Sequence, residues 1–205
     1  GGPGLEGISI LAIEGHCEGL TRRPLEKMGW WCSDTAHLHF EQCRVPAENL
    51  VGPENMGFYG LMANFSHERL MLAAMAWAFS KVCLADAVDW AEERQTFGRP
   101  LMARQVIRHK LVDMQSRISA LGAWLERLTW QVAQGDDAIA EVCMLKNFAT
   151  ATLEHCAGEA VQILGGMGYM RGTRVERIFR ETKVLSIGGG ASEILADLAA
   201  RQLGW

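Results

Sequence analysis

The stretch IRHKLVDMQSRISALGAWLERLTWQV, residues 107–132, decides the fold. Ile107, Leu111, Met114, Ile118, Leu121, Leu125, Leu128 and Val132 recur at alternating steps of four and three. That spacing puts them along one seam of a long helix in an antiparallel bundle. Gln134-Gly135-Asp136 ends the helix. A second helix is read from about Asp137 to Leu164, with Ile139, Val142, Leu145, Ala149, Leu153, Cys156, Ala160 and Ile163 on one face, and Gly165-Gly166 stops it. Upstream, Gly98 and Pro100 mark off a helix from Phe58 to about Arg94, whose apolar stripe is read as Leu61, Phe65, Glu68, Leu72, Met75, Phe79 and Val82. A short helix from Val175 to Lys183, a glycine run at Gly188-Gly189-Gly190 and a last helix from Ser192 to Leu203 complete this part.

Residues 1 to about 56 are organised differently. Short apolar runs at Ile8–Ile13 and Ala36–Phe40, the latter alternating Ala36, Leu38 and Phe40 with His37 and His39, are punctuated by Gly and Pro. They read as strands, too few to close a sheet. The expected fold is therefore mainly α, with a β segment over 1–56 followed by a helical bundle over 57–205.

Composition narrows the function. The 205 residues are 49% hydrophobic, enough for a sizeable core, and carry a formal net charge of −4, which argues against nucleic acid as a partner. No Cys/His grouping has metal-ligand spacing, so no metal is expected. Cys17, Cys32, Cys43, Cys83, Cys143 and Cys156 form no C-x-x-C pair and read as reduced thiols of an intracellular protein. Charges break the apolar runs before the ~20 residues of a membrane span, so none is expected. The chain opens at Gly-Gly-Pro-Gly without Met and reads as a fragment or processed product of something longer.

Three features stand out chemically. Glu68 falls on the stripe of its helix between Phe65 and Leu72, where a carboxylate is paired with a base such as Arg69, protonated, or functional. Gly188-Gly189-Gly190-Ala191-Ser192-Glu193 leads glycines straight into a helix, either a connector with Ser192 as N-cap or a site of close backbone approach to an anionic ligand. Arg94, in Glu93-Arg94-Gln95-Thr96-Phe97-Gly98, either compensates a helix dipole or grips a phosphate.

Taken in order, these strings resemble the acyl-CoA dehydrogenases from the second half of their β domain to the C-terminus. The resemblance is carried by Lys27-Met28-Gly29, Ser33-Asp34-Thr35, Phe40-Glu41, Val45-Pro46, the Glu93–Gly98 motif with Gln105, and Glu159-Ala160-Val161-Gln162-Ile163-Leu164-Gly165-Gly166-Met167-Gly168-Tyr169. It implies an antiparallel four-helix bundle preceded by part of a β-barrel domain. It also implies FAD as cofactor: Arg94, Gln105, Gln162, Ile163, Leu164, Gly165 and Gly166 on the flavin of a neighbouring subunit, and Ala191, Ser192 and Glu193 on the chain's own. Tyr59, Ser66, Arg69, Gly189 and Gly190 match positions lining the acyl-CoA site. A homotetramer, acyl-CoA as substrate and an electron-transferring flavoprotein as redox partner are implied as well, in the cytoplasm or, in a eukaryote, the mitochondrial matrix.

Many members of that family carry the catalytic Glu in a string like Y-E-G-T before the last helix, where this chain has Gly188-Gly189-Gly190-Ala191. The long-chain and isovaleryl branches place it in a string like E-R-L on the first bundle helix, which His67-Glu68-Arg69-Leu70 resembles. Glu68 is thus the expected base for the substrate α-proton, with flavin N5 taking the β-hydride. Ala63, Met71, Ala73 and Ala74 nearby suggest acyl space. The family's N-terminal helical domain and flavin-wrapping loops are absent from these residues. An acyl-CoA oxidase or flavin monooxygenase on the same fold, and a non-enzymatic helical interaction module, stay open as alternatives.

Overall fold

The computed structural model describes residues 2–205, the side chain of Ala63 excepted. They form two compact units that divide between Phe65 and Ser66. In the first, β1 (Ile10–Leu11) pairs antiparallel with β4 (Leu50–Val51), and β2 (Leu20–Pro24) with β3 (Ala36–Phe40), Leu20 opposite Phe40 and Pro24 opposite Ala36. The strand read at Ala36–Phe40 is present. Its partner β2 carries no strand signal in the sequence, because Thr21-Arg22-Arg23 offers no apolar alternation. Among the described residues these ladders stay two-stranded and close no barrel. Leu38 and Phe40 are each 47% exposed, so the apolar face of β3 is left half open.

One expectation is overturned here. Cys17 and Cys43 are joined in a disulfide, their Cα atoms 6.6 Å apart, so not all six cysteines are free thiols. The β2–β3 register brings the two residues together just beyond the open end of the hairpin, within the usual bridging distance. Cys32, Cys83, Cys143 and Cys156 remain free.

The second unit is helical. α1 (Gly57–Glu93) starts in the first unit and continues into it. Its buried stripe is Arg69, Ala73, Ala76, Ser80, Cys83, Ala87 and Ala91, one position away from the bulky stripe read in the sequence, whose members are half-buried or exposed. Small side chains let α1 approach its neighbour closely: the Trp77 indole donates to the Ile118 carbonyl at 3.1 Å and lies over Gly122. By length and composition α1 could cross a membrane. Its small-residue stripe is instead buried in protein and its Asp86 pairs with Arg174, so it serves as a bundle helix.

β5 (Gln95–Thr96) and β6 (Arg99–Pro100) form a hairpin, followed by α2 (Gln105–Ala133) and α3 (Ile139–Leu164). Seven of the seam residues of α2, Ile107 through Leu128, are buried as their spacing requires, and Val132 is half-buried. Contacts of Lys110 with Glu159, Trp124 with Phe148, and Arg127 with Glu141 fix α2 and α3 as antiparallel. After the single-turn α4 (Gly166–Tyr169) come α5 (Arg174–Ile187) and α6 (Ser192–Gln202), both packed on α3. α5 meets its later turns, through Lys183 and Glu154. α6 meets its first turns, where Leu195 and Ala199 bury Cys143. The fourth rod of the bundle is thus two helices interrupted at the glycine run. Thr173 caps α5 by accepting the Glu176 N–H at 3.1 Å.

Candidate active site

The break between α5 and α6 is where the polar groups of the core converge. Gly189 and Gly190 have φ of 67° and 107°, which side chains rarely adopt, and a Cβ on Gly189 would stand 2.7 Å from Leu72 Cδ1. The loop carbonyls turn inward. Arg69 Nε donates to Gly189 O at 2.9 Å, Lys146 Nζ to Gly190 O at 2.9 Å and to Ser186 O at 3.1 Å, and Asn147 Nδ2 to Ser192 O at 2.8 Å. Arg69 Nη1 also lies 3.9 Å from Cys143 Sγ. Burial, then the Arg69 guanidinium, holds the Lys146 ammonium below the ordinary lysine range, with Cys143 opposing. Burial likewise raises the Cys143 thiol, against the two cations.

Glu68 sits one residue before Arg69, and Leu72 one turn after it. It is half-buried, outside the fully buried stripe, which corrects the position read from periodicity. Among the described residues its carboxylate makes no ion pair or hydrogen bond. The Arg69 guanidinium is engaged with Gly189 and Cys143, so the ion-pair alternative for Glu68 finds no support. Ser66 is half-buried on the same helix, and Tyr59, in the first unit, is half-exposed and edge-on to Phe58 at 6.0 Å.

The start of α6 has Ala191 as its N-cap residue and no side-chain cap. Ser192 is not the N-cap expected of a plain connector: it occupies the first helical position and its hydroxyl faces Ser186 O at 3.5 Å. The first amides of an uncapped helix are ready donors for an anionic oxygen, and exposed Glu193 sits in that first turn. This end of α6, together with the glycines before it, fits a phosphate-bearing cofactor such as FAD.

At the far end of α3, Arg94, Ile163, Leu164, Gly165 and Gly166 share the lining of a cavity of about 450 Å³ with Trp90 and Met167. Five of the residues expected on a neighbour's flavin are therefore brought together, whereas Gln105 and Gln162 are exposed and do not line it. Beside the cavity, Phe97 and Gly98 (φ 51° and 75°) make the two-residue turn of the β5–β6 hairpin. Phe97 is 96% exposed, an aromatic held out in a strained conformation. Its position between two short strands before a glycine was the signal available in the sequence. Lys146 carries no such signal, since a lysine beside Leu145 reads as the edge of a solvated face, yet it is wholly buried.

The profile of the acyl-CoA dehydrogenase C-terminal domain matches residues 55–204. The chain belongs to the acyl-CoA dehydrogenase family. It is 39% identical to acyl-CoA dehydrogenase AFT10-1 of Alternaria alternata over 213 residues, 98% of this chain and 49% of that protein. To the mitochondrial long-chain specific acyl-CoA dehydrogenase of Sus scrofa it is 32% identical, over 96% of this chain and 46% of that one. The crystal structure of a probable acyl-CoA dehydrogenase from Mycobacterium abscessus superposes with a TM-score of 0.98 at 46% identity, covering 100% of this chain and 55% of that chain. The chain spans about half the length of the curated relatives it matches.

Proposed function

We propose that the whole protein of which this chain is part is an FAD-dependent acyl-CoA dehydrogenase, with Glu68 as the base. The observation that carries this reading is a half-buried carboxylate without a partner among the described residues, next in sequence to an arginine tied to the glycine loop. Glu68 removes the α-proton of the thioester, which needs a base held close to the carbon. Bound FAD would supply the acceptor for the β-hydride, so that substrate loses one proton and one hydride and gains a double bond. Arg94 and the Ile163–Gly166 segment would hold the pyrophosphate end of a neighbouring subunit's flavin, and the first amides of α6 would serve the chain's own. That sharing implies a homotetramer, with Gln105 and Gln162 in reach of the neighbour once assembled. The base on α1 and glycine in the loop favour the long-chain or isovaleryl branch, with a cytoplasmic or mitochondrial-matrix location and an electron-transferring flavoprotein as acceptor. The 1–56 and 57–205 segments would be the end of the middle β domain and the C-terminal bundle domain.

The test is anaerobic mixing of the FAD-loaded full-length protein with straight and branched acyl-CoAs. Bleaching of the flavin by one class, followed by slow reoxidation in oxygen and fast reoxidation by electron-transferring flavoprotein, is expected. Fast oxygen reoxidation would instead mark an oxidase, and no bleaching by any acyl-CoA would end the proposal.

A further inference from the structure

Lys146 is the largest side chain wholly buried in the core. Burying an ammonium is costly, and replacing such a group by an apolar side chain of similar volume is often neutral or stabilising. Among the described residues no carboxylate reaches it. Its partners are two carbonyls, Ser186 O at 3.1 Å and Gly190 O at 2.9 Å. Ser186 lies in the last turn of α5, where carbonyls lack helical partners and the helix dipole is negative, so a cation is favoured there. Gly190 lies just before α6. One ammonium, projecting from the rigid α3, therefore bridges the end of one helix and the approach to the next. The neighbouring residue Asn147 adds a second grip, on Ser192 O at 2.8 Å. Between these grips run three glycines, the residue type with the most backbone freedom to lose.

We propose that Lys146 is a positioning residue: by holding Ser186 O and Gly190 O it fixes the α5–α6 loop in the shape that sets Gly189 against Arg69 and presents the α6 N-terminus to the cofactor. Its catalytic consequence rests on the proposed dehydrogenase reading, whereas its effect on the loop does not. Lys146 touches neither substrate nor flavin and acts through the loop alone. An unpinned loop leaves the thioester bound but misplaced. Its loss therefore lowers the rate at saturating substrate more than it weakens substrate binding.

Two measurements on Lys146→Met in the full-length protein test this. The first is hydrogen exchange in the FAD-free protein over residues 186–196, which contain the Gly188 amide bonded to Val184 O and the Leu195 amide bonded to Ala191 O. Exchange there should speed up roughly tenfold or more while the amides of α2 stay unchanged. The second is flavin bleaching by acyl-CoA, expected to slow by about 10- to 100-fold at saturation with half-saturation moved less than about threefold. Loop exchange at the wild-type rate overturns the proposal, as does acceleration spread evenly over the bundle, which would mark a merely structural lysine. If Lys146→Met does not fold, Lys146→Gln, which reaches one carbonyl at most, is read the same way: intermediate exchange confined to 186–196 supports the clamp and wild-type exchange there refutes it. A wild-type protein that no acyl-CoA bleaches would refute the dehydrogenase reading and leave the exchange result to decide the clamp.

Discussion

Arg69 Nε donates to the Gly189 carbonyl at 2.9 Å, tying the α1 turn that carries Glu68 to the loop that precedes α6. The resemblance to the acyl-CoA dehydrogenases offers these same two places for the catalytic carboxylate, and the hydrogen bond links the neighbour of Glu68 to the loop. Arg69 is only 7% exposed, and cutting this bond leaves the half-buried Gly189 carbonyl without its donor. Arg69→Met should lower stability by about 1.5–3 kcal/mol, the contribution typical of a charged hydrogen bond. Urea unfolding measures it, and an unchanged midpoint would show the contact to be incidental.

The loop position cannot simply receive the base. Gly189 has a φ of 67°, and a Cβ there would lie 2.7 Å from Leu72 Cδ1. A left-handed conformation costs a non-glycine residue about 1–2 kcal/mol before any contact is counted. Adding Gly189→Glu to Glu68→Gln should therefore restore no flavin bleaching, and a further Leu72→Ala, which clears the space, should restore part of it. Recovery without Leu72→Ala would show that the loop yields more readily than its geometry implies.

The seams of α2 and α3 are legible because bulky residues mark them: Ile107, Leu111, Met114 and Ile118, and Val142, Leu145 and Leu153, are buried as their spacing indicates. On α1 the same rule picked the wrong face. Phe65, Leu72, Met75 and Phe79 outweigh Ala73, Ala76, Ser80 and Cys83 in hydrophobicity, yet close packing selects the small residues for the core and leaves the large ones half-covered. Glu68 belongs to that bulkier stripe and is only half-buried, less than its periodicity indicates. Family resemblance, and its lack of a partner among the described residues, are what keep it in view. The Lys146 clamp and the Cys17–Cys43 bridge depend on contacts across 44 and 26 positions, which no local spacing encodes.

Two thiols set a pH limit on the bundle. Burial is the main cause raising Cys83 from the ordinary value of 9.0 to about 12, and Cys156 to about 11. Above pH 9 the unfolded chain releases these protons while the folded one holds them, so stability is lost as pH rises from 9 toward those values. About 1 kcal/mol per thiol should disappear between pH 8 and 10. Lys146 works in the opposite sense, since its lowered value makes folding easier as pH rises toward 10.5. Comparing urea unfolding of wild type with Cys83→Ala isolates the thiol: the variant should show the shallower loss, and an equal slope would contradict the assignment.

Arg94 and Ile163–Gly166 share one cavity. Arg94→Ala in the full-length protein should weaken FAD binding by roughly 10- to 100-fold, the loss of a charge-assisted phosphate contact, while sedimentation still shows a tetramer. A monomer that carries a full complement of FAD would remove the basis for flavin sharing.

The central claim is that Glu68 is the base, and stopped-flow absorbance of the FAD-loaded full-length protein tests it most directly. Glu68→Gln preserves size and polarity but removes the proton acceptor, so flavin bleaching by acyl-CoA should slow by about 10²- to 10⁴-fold with FAD still bound. Bleaching at the wild-type rate would contradict the assignment and place the base on another residue.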